Sequence, residues 1–136
     1  LYDAALVEKT GAEVYCVATK EDQAKLLYND CLAYINQSEA LQDVFEVLTG
    51  RSIVYVKDTM RTSWVVPVGS DSKRLDGLNP CSVIADEVHA WQKPDLWHVF
   101  ADSFGARSNY HMIAITTAGY NRNSICYEER QHLTRK

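Results

Sequence analysis

Cys81-Ser82-Val83-Ile84-Ala85-Asp86-Glu87-Val88-His89-Ala90-Trp91 is the stretch on which the reading of this chain turns. The apolar run from Val83 to Ala85 reads as a strand buried on both faces, and it ends in two adjacent carboxylates. Open α/β sheets bind their ligands just outside the carboxyl ends of the strands, so acids at that position mark a candidate site. Asp86 and Glu87 are therefore the centre around which other elements are sought.

Downstream, Pro94 suits the first turn of a helix whose Leu96, Val99, Phe100 and Phe104 form an apolar stripe. His111 to Ile115 reads as another buried strand, and it too ends in polar residues, Thr116-Thr117-Ala118-Gly119. Two strands thus bring polar groups to one edge of the sheet, acids from one and hydroxyls from the other. Ser124 is placed to cap a last helix.

Upstream, Gly69 to Pro80 is a polar, glycine-punctuated loop that contains Arg74, and a loop of this length between strands argues for function. Ser52 to Lys57 and Ser63 to Val68 are β-rich runs joined by the polar link Asp58 to Thr62, the pattern of an antiparallel hairpin. Pro67 has no N–H for a ladder, which makes its strand an edge or ends it there.

Nearer the start, Leu1 to Lys9 reads as a helix closed by Gly11, and Glu13 to Ala18 as a buried strand. Thr19 followed by Asp22 fits a capping pattern for a helix that turns Ala24, Leu27, Tyr28, Cys31 and Ile35 toward the sheet. Ser38 then caps a second helix, with Leu41, Val44, Phe45 and Leu48 on one face and Gly50 at its end. Strands alternating with helices around a hairpin imply a mainly parallel α/β sheet.

The 136 residues amount to one domain, and 46% hydrophobic with 24% charged residues is ordinary for a globular chain. A formal net charge of −4 carries no overall basic signature, so nucleic acid would have to meet a local patch or a partner subunit. The four cysteines are widely spaced without C-x-x-C, which reads as buried thiols in a reducing compartment. No apolar run approaches the ~20 residues of a membrane span, and no signal-peptide pattern is present. The tryptophans and tyrosines fall on predicted strands and apolar helix faces, so core packing is expected of them rather than base stacking.

In the order Ala12-Glu13-Val14-Tyr15-Cys16-Val17-Ala18-Thr19-Lys20-Glu21-Asp22-Gln23-Ala24, Leu75-Asp76-Gly77-Leu78-Asn79-Pro80, Ala85 to Trp91 and Ile115-Thr116-Thr117-Ala118-Gly119, the chain resembles a known family. It is similar to the central part of the ATPase domain in the large terminase subunit of tailed bacteriophages, the motor that packages DNA into procapsids. The resemblance implies a three-layer RecA-like P-loop ATPase core, partial here, with strands ordered His111 to Thr116, Ser82 to Asp86, Glu13 to Ala18 and the hairpin beyond. It implies ATP and Mg2+ as cofactors, Asp86 as the Walker B magnesium residue, Glu87 as the catalytic glutamate and Thr116-Thr117-Ala118 as the coupling motif facing the nucleotide. It further implies that Arg74 reaches a neighbouring subunit's nucleotide. The implied partners are double-stranded viral DNA, the portal protein, the small terminase subunit and further copies of the chain in a ring, in the cytoplasm of the bacterial host.

The family's glycine-rich Walker A loop has no match in the sequence. Residues 1–136 are accordingly expected to be a partial ATPase domain within a longer protein, with the Walker A loop upstream and the nuclease domain downstream. Alone, such a piece should neither bind ATP tightly nor cut DNA, and the strand at His111 should present an apolar edge that invites self-association. Asp86-Glu87-Val88-His89 also satisfies the DExH pattern of helicases, in which His89 would couple the acids to the threonines. A non-catalytic prophage remnant is the alternative from another class.

Overall fold

Strand β1 (Glu13–Ala18) is the axis of the fold, because its side chains alternate between two separate cores. A computed structural model describes residues 1–7, 11–69, 77–91, 94–103 and 107–135. On one face, Val14 and Cys16 pack with Tyr28 and Ile35 of helix α1 (Glu21–Gln37) and with Val54 and Val65 of the neighbouring strands. On the other, Tyr15 and Val17 pack with Val83, Val88, Leu96 and Phe100. Helices therefore cover both sides and the chain forms three layers.

The sheet has six strands in the order β2-β3-β4-β1-β5-β6. Strand β1 pairs in parallel with β4 (Trp64–Gly69) on one flank and with β5 (Ser82–Ala85) on the other, and β6 (His111–Ala114) continues parallel beyond β5. Strands β2 (Phe45–Leu48) and β3 (Ile53–Val56) extend the opposite side in antiparallel fashion. Helix α2 (Glu39–Val44) follows α1, while α3 (Asp95–Asp102) and α4 (Ile125–Thr134) place Phe100 and Ile125 in the second core. Phe100 is fully buried with its ring 5.7 Å from that of Tyr15, a position where truncation to Ala costs about 3–5 kcal/mol.

The expected α/β class, the order of the three parallel strands and the antiparallel extension beyond β1 are all present. The caps at Ser38 and Ser124 are formed, each hydroxyl accepting a backbone N–H three residues on. Several local expectations are corrected. Over Asp3–Val7 the opening helix is π-helical, its expected continuation through Glu8 and Lys9 lies outside the described residues, and Gly11 adopts φ +76°. Lys20 stands at the N-cap of α1 with no side-chain cap, while the Thr19 hydroxyl bonds to the Gln23 side chain instead.

The second helix stops at Val44, and Phe45 to Leu48 form a strand. Leu41, Val44, Phe45 and Leu48 do share a helical face, but Phe45 and Val47 also share a strand face, and pairing with β3 decides between them. Pro67 does not end its strand, which lies inside the sheet. Pairing of β4 with β3 covers only Trp64 and Val65, so Pro67 lies where β4 has a ladder on one flank, and its missing N–H breaks nothing on the other. Pro94 sits at the N-cap of α3, one position ahead of the first turn. Phe104 lies outside the described residues. Strand β6 is an edge, and Ile113 is half-exposed on it.

Candidate functional site

Parallel pairing of β1, β5 and β6 brings their carboxyl ends level, which sets Asp86 and Glu87 beside Thr116. Ladder bonds run past the last strand residues: Asp86 N–H donates to the Val17 carbonyl at 2.7 Å, and Ile115 N–H to the Ala85 carbonyl at 2.7 Å. Asp86 is further held through two of its oxygens. Its Oδ1 accepts the Glu87 N–H at 2.9 Å, and its carbonyl accepts the indole N–H of Trp91 at 3.0 Å.

Glu87 has φ 51° and ψ 41°, the left-handed region that costs a residue with a Cβ about 1–2 kcal/mol. A turn of 3-10 helix, Val88–Ala90, follows at once and packs Val88 into the second core. This tight reversal aims the Glu87 carboxylate back at the end of β6. Its Oε2 lies 3.0 Å from His89 Nδ1, and the same nitrogen lies 3.1 Å from Thr116 Oγ1 and 3.4 Å from Thr117 Oγ1.

The protonation of this contact follows from the donors available. Thr116 Oγ1 gives its single proton to the Thr117 carbonyl at 3.0 Å and accepts the His89 backbone N–H at 3.0 Å. A carboxylate only accepts, so the proton between His89, Glu87 and Thr116 sits on Nδ1. Cys126 Sγ of α4 reaches Thr116 Oγ1 at 3.8 Å and completes the surround. Gly119 makes the arrangement possible: a Cβ there would stand 2.8 Å from His89 Cβ. A cavity of about 520 Å3 opens beside these groups, between the Thr116–Gly119 segment and α4.

Across the two strand ends, His89 joins Glu87 to Thr116 and Thr117, and Asp86 directly precedes Glu87 at the end of β5. Arg74 lies outside the described residues. Trp91 and Gly119 carry roles that their sequence reading missed. The signal for Trp91 was available, since a buried indole N–H needs an acceptor and the nearest backbone is the acidic turn. Among the described residues no group of three or more metal-binding side chains occurs. At the opposite end of the sheet, His111 Nε2 lies 3.1 Å from both Ser82 Oγ and Asp3 Oδ2. Both contacts use one ring nitrogen, so this is no nucleophilic triad, which needs one contact at each.

The family model for the ATPase domain of the terminase large subunit matches residues 1–135. The chain belongs to that family. This terminase chain is similar in fold to the large terminase of bacteriophage HK97, with a TM-score of 0.81 at 17% identity over 98% of this chain and 28% of that one. The large terminase ATPase domain of Thermus phage P74-26 matches with a TM-score of 0.63 at 18% identity, over 83% of this chain and 51% of that one. Protein YmfN of Escherichia coli (strain K12) is 38% identical over 58 residues, 43% of this chain and 13% of YmfN. The chain therefore spans a minor part of YmfN and of the HK97 protein. Membership in the terminase family disfavours the helicase alternative. Among the described residues no helix is long and apolar enough to cross a membrane.

Proposed function

We propose that the terminase chain supplies the hydrolysis and coupling half of an ATP site that drives viral DNA into procapsids. The observation that supports this best is the contact from Glu87 through His89 to Thr116, which links an acid at one strand end to a hydroxyl at the next. Asp86 would hold Mg2+. Its carboxylate is a hard oxygen donor anchored by the Glu87 amide, on a backbone whose carbonyl is held by Trp91, and magnesium takes one or two such carboxylates together with phosphates and waters. Bound magnesium would neutralise charge on the phosphates.

Glu87 orients the attacking water, and the His89 N–H holds its carboxylate in one rotamer until the nucleotide arrives. Thr116 and Thr117 face the nucleotide, and a change there passes to Glu87 through the same imidazole. Arg74 reaches the nucleotide of a neighbouring copy in a ring. The phosphate-binding loop comes from sequence outside residues 1–136, and the portal protein and small terminase subunit complete the motor.

The test is ATP turnover by the packaging protein carrying Glu87→Gln. Turnover should fall by roughly 10²-fold or more while KM stays within a few-fold of the parent. Retention of half the parent turnover would overturn the assignment.

A further inference from the structure

Beyond the acids, a second cleft of about 650 Å3 opens between the segment after Gly119 and the outer face of α4. Arg122, Arg130 and Arg135 line it, with Tyr120, Tyr127 and Gln131 between them. Every one of these six side chains can donate a hydrogen bond, and no carboxylate is among the lining residues. The three arginines are exposed, and among the described residues none of them forms a salt bridge. The nearby Glu129 is turned away, accepting the Trp97 indole N–H at 3.1 Å. In a chain of net charge −4, such a concentration of unpaired positive charge needs an explanation.

We propose that this cleft binds the phosphate backbone of nucleic acid. Guanidinium groups match phosphate oxygens as planar forks, and tyrosine and glutamine side chains are frequent additional phosphate donors. Arg130 on α4 and Arg135 at its C-cap both line the cleft although they leave the helix in different directions, so two guanidinium groups converge on one groove and can meet separate phosphates. A nucleoside triphosphate fits less well, because it arrives with magnesium and this cleft offers no carboxylate to share the ion. The cleft borders the coupling segment at Gly119, which lines both cavities, so a strand held here lies next to the residues that sense the nucleotide.

The inference deepens the packaging function and rests on that reading only for the choice of duplex DNA as the probe. The test is fluorescence anisotropy of a labelled duplex titrated with the chain, without nucleotide, over a series of salt concentrations. The double variant Arg130→Gln/Arg135→Gln should weaken binding about tenfold and reduce the slope of log affinity against log salt by about two. Arg122→Gln alone should reduce that slope by about one, and Lys25→Gln, on α1, should change neither quantity. Circular dichroism checks that each variant is folded. Absence of duplex binding by the parent chain at low salt, unchanged affinity in the double variant, or displacement of the duplex by ATP at equal phosphate concentration would each overturn the proposal. Turnover of the Glu87→Gln protein is measured without DNA, so failure of the hydrolysis reading and failure of the cleft are separately visible.

Discussion

His89 Nδ1 stands 3.1 Å from Thr116 Oγ1, so a single ring nitrogen bridges the turn after β5 and the end of β6. The link is doubled by the His89 backbone N–H, which donates to the same hydroxyl at 3.0 Å. Removing the imidazole leaves the backbone bond in place. His89→Ala should therefore cost only about 1 kcal/mol in urea unfolding, while hydrogen exchange at Val88 and Ile115 speeds up. A loss of more than about 3 kcal/mol would mean that the ring is a packing element and not a bridge.

Gly119→Ala puts a methyl group 2.8 Å from His89 Cβ, and overpacking of this kind costs about 1–3 kcal/mol. Because the clash is with Cβ itself, trimming His89 to Ala should not relieve it, whereas trimming to Gly should. A double-mutant cycle measured by denaturant unfolding separates the two: additive costs with His89→Ala, favourable coupling with His89→Gly. Relief by both variants would place the crowding at the ring.

The side chain of Cys16 on β1 interacts with that of Cys31 on α1, and this interaction lowers the Cys31 thiol to about 7. The same interaction, together with burial, pushes the Cys16 thiol up. A thiol depressed in the folded state below its ordinary value of about 8.5 adds stability that is complete above that value and is lost as pH falls through 7. Alkylation of Cys31 by iodoacetamide should accordingly rise with a midpoint near pH 7, and Cys16→Ala should move that midpoint upward. A midpoint unaffected by Cys16→Ala would count against Cys16 as its cause.

Residues 1–136 hold the acids and hydroxyls but no glycine-rich phosphate loop. Calorimetric titration of the chain with magnesium and ATP should show no affinity tighter than about 1 mM, the range left to a few polar contacts. Micromolar binding would mean that the phosphates have another cradle here.

Much of this was legible in the sequence where local pattern and tertiary pairing agree. The runs at Glu13, Val83 and His111 are short, apolar and bounded by polar turns, and each is a strand. Asp86 and Thr116 could be set side by side because both follow such runs. Phe45 to Leu48 was not legible: the same residues satisfy a helical and a strand period, and the choice rests on a partner, Ile53 to Val56, later in the chain. The arginine cleft was hidden for a related reason. Arg122 precedes α4 while Arg130 and Arg135 lie along it and at its end, and only the folded turn at Ser124 brings them together.

The left-handed backbone at Glu87 sets folding and chemistry against each other at one position. Glycine adopts that conformation freely, so Glu87→Gly should raise the unfolding free energy by about 0.5–1 kcal/mol, after the flexibility that glycine adds to the unfolded chain is deducted. A library of variants sorted for thermal resistance alone would thus enrich the substitution that deletes the proposed water-orienting carboxylate. Residue 87 is then a place where a screen for stability and a screen for ATP turnover select opposite sequences.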